Sequence, residues 1–285
     1  MQSETLRGCI TLSIDKFLFS RFLLASLQLK YILGEKDKND MREAMKELPS
    51  TLDDAYEDIF QKIEKQTLRS AVTAKRTLSW CYYSRRPLHV DELGHALVVE
   101  YDDCDLRGEG KSVTTILDCC LSFVTHDQYT GEVRFIHPSV QRWFDCEPQN
   151  QKLLGHEYLA RVCLTYLNFN VFDTIDLANL PPWYRVYDSR AAVAKYLGPF
   201  PFYRYAVQFW SDHTREVEQA RTVQNAALLL LEADNRRTLA LRIVSYISRT
   251  GDVILGQTAL HAGAACGLVA ICQLLVNGLV RDSIR

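Results

Sequence analysis

Residues 77–97 read Thr-Leu-Ser-Trp-Cys-Tyr-Tyr-Ser-Arg-Arg-Pro-Leu-His-Val-Asp-Glu-Leu-Gly-His-Ala-Leu, and this stretch predicts a helix, a stop and a second helix. Leu78 and Cys81 lie at helical spacing. Arg85-Arg86 are expected in the last turn, because cations favour the carbonyl end of a helix, and Pro87 is expected to stop it. Apolar residues at helical spacing then resume. The stretch therefore predicts a packing module rather than a catalytic site.

The sequence that follows this helix pair predicts a small winged-helix unit. Residues 113–121 form a short apolar segment with helical spacing. Residues 122–126 and 132–137 alternate around Asp127-Gln-Tyr-Thr-Gly131, a hairpin signal with glycine where a positive φ is needed. Residues 138–144 predict a closing helix. Three helices followed by a two-stranded wing is the order of a winged helix.

The flanking segments also predict helices. Residues 17–33 carry apolar side chains around most of a helix, so this helix is expected to be buried on more than one side. Ser50 or Thr51 suits the N-cap of the next helix, whose first turn holds Asp53 and Asp54. Further helices are expected over residues 157–167, 189–197, 202–221, 226–231 and 239–247. The predicted fold class is mainly α: a helical bundle and a winged helix with one β-hairpin, then a helical array.

The last segment carries a repeat pattern. Residues 256–278 combine a Thr258-Ala-Leu-His261 start, small residues, a glycine at position 267 and Leu274-Leu275. This pattern resembles an ankyrin repeat, with Ala259 where the repeat more often has proline. A lone repeat cannot bury its own apolar face, so we expect it to lean on the preceding helices or to open a longer array.

Several stretches, in their order along the chain, resemble a known family. Residues 48–59, 86–97 and 133–140 resemble the region that follows the NTPase core in NACHT-ankyrin proteins of the signal-transducing (STAND) NTPase class, which is common in fungi. The middle part is similar to the winged-helix domain named after GPI inositol-deacylase-like proteins. Residues 158–167 and 201–213 look like the helical connector found there before the ankyrin array. The resemblance implies a regulatory arm that carries a repeat sensor.

The resemblance also implies a division of the chain. The expected regions are NACHT-associated helices at 1–76, the winged helix at 77–147, a connector at 148–250 and one ankyrin repeat at 251–285. Compared with that family, the chain starts after the place of the NTPase core and ends after one repeat, so nucleotide switching in cis is not expected. The implied partners are other proteins, including an NTPase domain in trans. No Gly-x-Ser-x-Gly or His-Glu-x-x-His motif accompanies the resemblance, so deacylase activity is not implied.

Composition points to an ordinary folded protein. The 285 residues are 47% apolar and 24% charged, and a net charge of −2 gives no field that would attract nucleic acid or an anionic membrane. The nine cysteines include no Cys-x-x-Cys pair, which indicates small buried side chains in a reducing compartment. Charged residues interrupt the most apolar segment, residues 10–33. We expect a cytoplasmic protein without a membrane span or signal peptide, and the oligomeric state stays open.

One glycine-bearing loop ends like a phosphate-binding loop. It reads Gly108-Glu-Gly110-Lys111-Ser112. The motif requires a glycine where Asp105 stands, and no buried strand leads into it. A solvated loop is the favoured interpretation, and a degenerate ATPase is kept as an alternative function.

A winged helix also raises the alternative of DNA binding. The helix before the wing, residues 113–121, has one Asp and neither Lys nor Arg. Arg134 and Arg142 are the nearby cations, which is a small set for a phosphate footprint. A face that packs against protein is favoured, with a DNA-binding regulator as the alternative.

Cys119-Cys120, His126 and His137 suggest a metal site by composition alone. Adjacent side chains on a helix diverge by about 100°, so core cysteines and a strand-end histidine are the favoured interpretation. The ring of His261 is expected to hydrogen-bond the backbone in the turn of the repeat. The sequence predicts no catalytic, cofactor-binding or metal-binding residue.

Trp183, Tyr184 and Tyr187 lie beside Pro181-Pro182 in a predicted loop. Aromatic side chains of this kind serve as partner contacts, and loops also use them to attach to a core. Both interpretations stay open. The leading hypothesis is a non-enzymatic interaction or regulatory protein that works by packing against other proteins.

Overall fold

The computed structural model describes residues 22–29, 32, 37, 41–42, 45, 48–146, 148–177, 197–248 and 257–283. The chain divides into two compact units, Met1–Leu68 and Arg69–Arg285. The predicted region boundaries within the second unit stay predictions.

In the first unit, helix α1 spans Leu52–Glu64. Its N-cap is Thr51, whose hydroxyl accepts from the Asp54 N–H while the Asp54 carboxylate accepts from the Thr51 N–H, a capping box. The predicted start of this helix is confirmed. These hydrogen bonds also hold the pKa of the Asp54 carboxyl below its usual range.

The earlier predicted helix is only partly described. Residues 22–29 are helical. Leu27 is 6% exposed, but Phe22 is 75% and Leu29 is 56% exposed. Over this run the expectation of burial on more than one side is wrong, because Phe22 and Leu29 are exposed and Leu27 alone is buried.

The second unit begins with the winged helix, which is built from four helices and a small sheet. Its elements are α2 (Leu68–Tyr83), β1 (Leu88–His89), α3 (Val90–Ala96), α4 (Val113–Cys119), β2 (Val124–His126), β3 (Glu132–Phe135) and α5 (Pro138–Phe144). The sheet order is β1-β3-β2, with both neighbours antiparallel to β3. Gly131 closes the hairpin turn with φ +72°, as its position predicts.

Two details of the winged helix differ from the sequence prediction. A third strand, β1, pairs Leu88 with Val133 and His89 with Glu132. Helix α2 ends at Tyr83, so Arg85 and Arg86 lie beyond it instead of closing its last turn. The residue before a proline is pushed away from helical geometry, which favours the early end and extends the chain into β1.

Helices make up the rest of the described chain. They are α6 (His156–Leu167), α7 (Tyr203–Arg215), α8 (Arg221–Glu232), α9 (Asp234–Ser248), α10 (Ala259–Ala265) and α11 (Val269–Ser283), with 3₁₀ helices at Asn150–Lys152 and Asn170–Thr174. The predicted helix over 202–221 ends at Arg215, and a new helix starts at Arg221. The helix expected at 189–197 lies outside the described residues, apart from its last position. Within the described ranges, no helix combines the length and apolar character needed to cross a bilayer.

Trp80 on α2 joins the winged helix to these helices. Its ring is 1% exposed and meets Phe202 and Tyr205 edge-on at centroid distances of 5.3 and 5.5 Å, with Tyr158 at 6.2 Å. Such contacts combine a large buried apolar area with favourable ring geometry. Next to it, the Ser79 hydroxyl accepts from the Leu154 N–H over 2.8 Å. The core of the second unit therefore runs from α2 into α6 and α7 without a break.

Replacing Trp80 by alanine is expected to lower the free energy of unfolding by about 3–5 kcal/mol, because a large ring leaves a cavity between three helices. Urea unfolding followed by circular dichroism measures this loss. Tyr129→Ala is the control, since Tyr129 is fully exposed at the wing and its loss should change stability by less than about 0.5 kcal/mol. Equal losses for both variants would contradict the assignment of Trp80 to the core.

A chain of hydrogen bonds crosses the same junction. The Arg85 N–H donates to the Tyr205 hydroxyl over 3.0 Å, and that hydroxyl lies 2.9 Å from His213 Nε2. His213 Nδ1 lies 3.0 Å from His156 Nδ1. One arrangement that satisfies these contacts has the Tyr205 hydroxyl donating to His213 Nε2 and His213 Nδ1–H donating to His156 Nδ1. This order requires both imidazoles to be neutral.

Burial gives His213 a pH-dependent role in stability. Its side chain is buried, and burial first, then the nearby His156, lowers its pKa to about 3. Burial likewise lowers the pKa of His156, which Glu216 partly opposes. An unfolded chain takes up a proton near the ordinary pKa of histidine, whereas the folded chain does not. The free energy of unfolding therefore falls as the pH drops below that value.

Between about pH 7.5 and about pH 5, His213 alone should cost the folded state about 2 kcal/mol. His213→Gln keeps a side chain with hydrogen-bonding groups but does not titrate, so its unfolding free energy should depend less on pH. Urea unfolding of both proteins at the two pH values tests this. An unchanged pH dependence in His213→Gln would show that other groups set the acid sensitivity.

Candidate functional site

The loop that resembles a phosphate-binding loop has a packing role. At Gly110 a Cβ atom would lie 2.8 Å from His95 Cδ2 and 2.9 Å from the carbonyl carbon of Gly94, and the Lys111 N–H donates to the Gly94 carbonyl over 3.0 Å. Ser112 caps α4, its hydroxyl accepting from the Thr115 N–H. Glycine is needed here because the loop backbone touches α3. The Gly-Lys-Ser run is thus explained by the connection of α3 to α4.

Asp105, at the position where that motif requires glycine, also has a partner. Its carboxylate accepts from the Val171 N–H over 3.2 Å, and the neighbouring Cys104 carbonyl accepts from the Asn170 N–H over 2.8 Å. The loop is therefore fastened to the 3₁₀ helix at 170–174 rather than solvated along its whole length. The tip of the loop at Gly108 and Glu109 is exposed, as a solvated loop requires, while its start is fastened.

The cysteine and histidine set does not converge. The sulfurs of Cys119 and Cys120 are 4.0 Å apart, and the Cys119 thiol donates to the Ile116 carbonyl. Burial raises the pKa of the Cys120 thiol, which disfavours a thiolate ligand. His137 caps α5 by accepting from the Ser139 N–H at Nδ1. Among the residues that the structure describes, no group of three His, Cys, Asp or Glu side chains is placed to hold a metal ion.

The remaining cysteines are less uniform than the sequence suggests. The eight that the structure describes are free thiols. Cys119, Cys120 and Cys163 are buried, whereas Cys104 and Cys146 are exposed. Burial as a general description of the cysteines is therefore wrong, although the core positions fit it.

The surface that would face DNA in a winged helix carries carboxylates. The exposed positions of α4 are Thr114, Thr115 and Asp118. On the wing, Arg134 donates to the Asp127 carboxylate over 3.1 Å. Two backbone N–H groups from the turn and Arg134 hold the pKa of Asp127 below its usual range, so it stays charged. Phosphate groups approaching this surface would meet fixed negative charge, which opposes backbone binding.

Of the predicted partner contacts, Trp183, Tyr184 and Tyr187 lie outside the described residues. Both interpretations of these aromatics stay predictions.

The C-terminal helix pair has a well-defined turn geometry. The Thr258 hydroxyl caps α10 and lies 2.8 Å from His261 Nδ1, so His261 bonds to the capping side chain. Gly267 turns the chain between α10 and α11 with φ +69°. At Gly263 a Cβ atom would come within 3.1 Å of the Cys272 sulfur, so its absence lets the two helices approach closely. The His261 ring therefore acts within the turn, but its partner is the Thr258 hydroxyl rather than the expected backbone group.

The outer side of this helix pair is an apolar groove of about 690 Å³. Val269 is 64% exposed and Val276 is 44% exposed, two helical turns apart on α11. Gln273 and Asn277 also line the groove, and none of its described lining residues is charged. Exposed valines in an uncharged groove have the composition of an interface core rather than of ordinary surface.

Sequence reasoning missed a second concave surface, a cleft of about 520 Å³ beside β3. Arg85, Arg86 and Arg134 line it, together with His137 and Gln141. The sequence predicts that Arg85 and Arg86 close a helix, and the third arginine, Arg134, lies on β3, far along the chain. Only the pairing of β1 with β3 brings them together.

Comparison with known proteins identifies the segment that contains the winged helix. Residues 61–153 match the family model described as GPI inositol-deacylase, winged helix domain. This segment is a winged-helix domain. The match agrees with the observed order of helices followed by a wing, and it covers about a third of the chain. No curated protein and no solved structure gives a match.

The glycine contact between α3 and the loop can be tested within this winged helix. At Gly94 a Cβ atom would lie 2.6 Å from the Lys111 carbonyl oxygen, so Gly94→Ala should lower the unfolding free energy by about 1–3 kcal/mol. Gly155→Ala is the matched control, because no atom lies within 4 Å of a Cβ there. Chemical denaturation measures both. A neutral Gly94→Ala would mean that the loop is not packed on α3.

Proposed function

We propose that the chain is a non-enzymatic protein-binding module that presents the α10–α11 groove to a helical surface of another protein. The observation that carries the proposal is the exposure of Val269 and Val276 in a groove whose described lining has no charged residue. Burying such side chains against a partner gains about 25 cal/mol per Å² of apolar area. A helical partner fits because Val269 and Val276 lie two turns apart on one face of α11, the arrangement by which helices pack along each other.

The helix pair supports an ankyrin-type repeat as the form of this module. The Thr258 cap with its His261 partner, the turn at Gly267 and the close approach at Gly263 are what such a repeat requires. Repeats of this class bury their apolar faces by stacking on neighbouring helix pairs. A helix pair of a partner protein is accordingly the occupant that we propose for the groove.

The winged-helix match supports the wider setting of the proposal. A winged helix preceded by α1 and followed by a helical connector is the arrangement that the resemblance to NACHT-ankyrin proteins implies. In this setting the chain would act in the cytoplasm as a regulatory arm, with an NTPase domain in trans as one of its protein partners. Its mechanism would be packing, and no residue is assigned a catalytic role.

Charge placed in the groove should abolish this binding. We expect the intact chain to capture a partner from a cell extract that Val269→Asp/Val276→Asp does not capture, because two carboxylates would be buried without counter-ions. Val72→Asp is the control, since Val72 is 39% exposed and lies outside the groove.

Affinity capture followed by mass spectrometry identifies the partner, and circular dichroism checks that all three proteins are folded. Direct titration of the purified partner then measures the affinity of each variant. Equal binding by the groove variant and the intact chain would rule out the groove as the binding surface.

A further inference from the structure

The cleft beside β3 has a chemistry different from that of the groove. Its inner side is formed by buried apolar side chains, among them Trp80, Leu88 and Leu93. Its rim carries Arg85 and Arg134, and none of the described lining residues is Asp or Glu. A cleft with an apolar base and only cationic charge is complementary to an anionic ligand that also has apolar groups.

The arginines of the cleft differ in how firmly they are held. Arg86 makes two 2.7 Å hydrogen bonds to Glu92 and lies over the ring of Tyr205, so it is a fixed part of the wall. Arg85 and Arg134 each form one exposed ion pair, with Glu216 and Asp127 respectively. Exposed pairs contribute little free energy, so these two guanidinium groups are available to exchange partners.

The backbone of β3 faces the cleft with an incomplete ladder. The Val90 N–H donates to the Gly131 carbonyl over 2.8 Å. Hydrogen-bonding direction alternates along an antiparallel strand, so Val133 and Phe135 also direct their N–H and C=O groups toward the β1 side. The alternate residues direct these groups toward the β2 side. The 3.0 Å hydrogen bond from the Ile136 N–H to the carbonyl of Phe123, the residue before β2, confirms this.

Strand β1 stops before it reaches Phe135. Its pairing with β3 ends at Leu88, which lies opposite Val133. Arg86 is the residue that would lie opposite Phe135, and within the described chain no backbone hydrogen bond joins the two. The Phe135 peptide therefore offers a donor and an acceptor to the cleft, at the point where the arginines meet.

From these features we infer that the cleft binds an extended acidic peptide segment of a partner protein. The segment adds to the open edge of β3 at Phe135 and places carboxylates on Arg85 and Arg134. A peptide is favoured over nucleic acid because the open edge of β3 offers peptide-type hydrogen bonds. This surface is separate from the α10–α11 groove.

Fluorescence polarisation with the intact chain tests the inference. The probe is a fluorescein-labelled peptide that alternates glutamate with valine, compared with a lysine–valine peptide and with a glutamate peptide carrying proline at its centre. We expect saturable binding of the first peptide alone, weakened by salt. The proline peptide should bind weakly because it lacks an N–H for the ladder.

Variants connect the binding to the cleft. Arg85→Gln/Arg134→Gln should weaken the glutamate–valine peptide by about tenfold or more, equivalent to about 1.4 kcal/mol. Arg69→Gln makes the same kind of change on the exposed surface of α2, about three helical turns from the cleft, and should leave binding unchanged. The groove variant Val269→Asp/Val276→Asp should also bind the peptide normally, so failure of the proposed function and failure of this inference are distinguishable.

Several outcomes would overturn the inference. They are absence of saturable binding, equal binding of the lysine peptide, and equal loss in the Arg69→Gln control. Displacement of the peptide by duplex DNA that itself binds more tightly would assign the cleft to nucleic acid instead. Arg134→Gln alone provides a milder variant if the double variant is less stable, and it should still weaken binding.

Discussion

The burial of Trp80 at the end of α2 is the contact on which the second unit depends. Its ring packs edge-on against Tyr158 on α6, Tyr205 on α7 and Phe202, the N-cap residue of α7. Because this core is shared, the winged helix and the connector cannot each bury their apolar surface alone. Partner-binding surfaces are consequently confined to the outer sides of the unit. The arginine cleft lies directly against this core, because buried Trp80 and Leu88 line its inner side, whereas the α10–α11 groove is lined by exposed valines elsewhere in the unit.

Directional polar contacts at the same junction complement the apolar packing. Apolar contacts tolerate small shifts, whereas the chain of hydrogen bonds from Arg85 through Tyr205 to His213 and His156 depends on distance and direction. Its first member is a backbone N–H at the start of the Arg-Arg-Pro turn. The junction therefore fixes where that turn leaves α2, and with it the path of the chain into β1. The arrangement of the arginine cleft follows from a hydrogen-bond network buried behind it.

Local signals made much of the fold predictable from sequence. The caps at Thr51 and Thr258 and the hairpin glycine Gly131 act within a few residues, so their neighbours alone specify them. Strand β1 was not predictable, because two residues carry no periodicity and its partner β3 lies more than forty residues away in sequence. The role of Asp105 was missed for the same reason, whereas the early end of α2 follows from the nearby Pro87. For β1 and Asp105 the deciding contact is made by a residue distant in the sequence, and the same holds for the cleft.

The two surfaces should respond to their surroundings in opposite ways because their chemistry differs. In the groove, exposed valines dominate and charge is absent from the described lining, so association there would depend on apolar burial and be almost insensitive to ionic strength. In the cleft, Arg85 and Arg134 must exchange exposed ion pairs for new ones, a process that salt screens. A partner that used both surfaces would gain affinity from linkage of two weak contacts rather than from one strong one. A module without assigned catalytic residues would in that case control assembly through the geometry that the shared core imposes between its two binding surfaces.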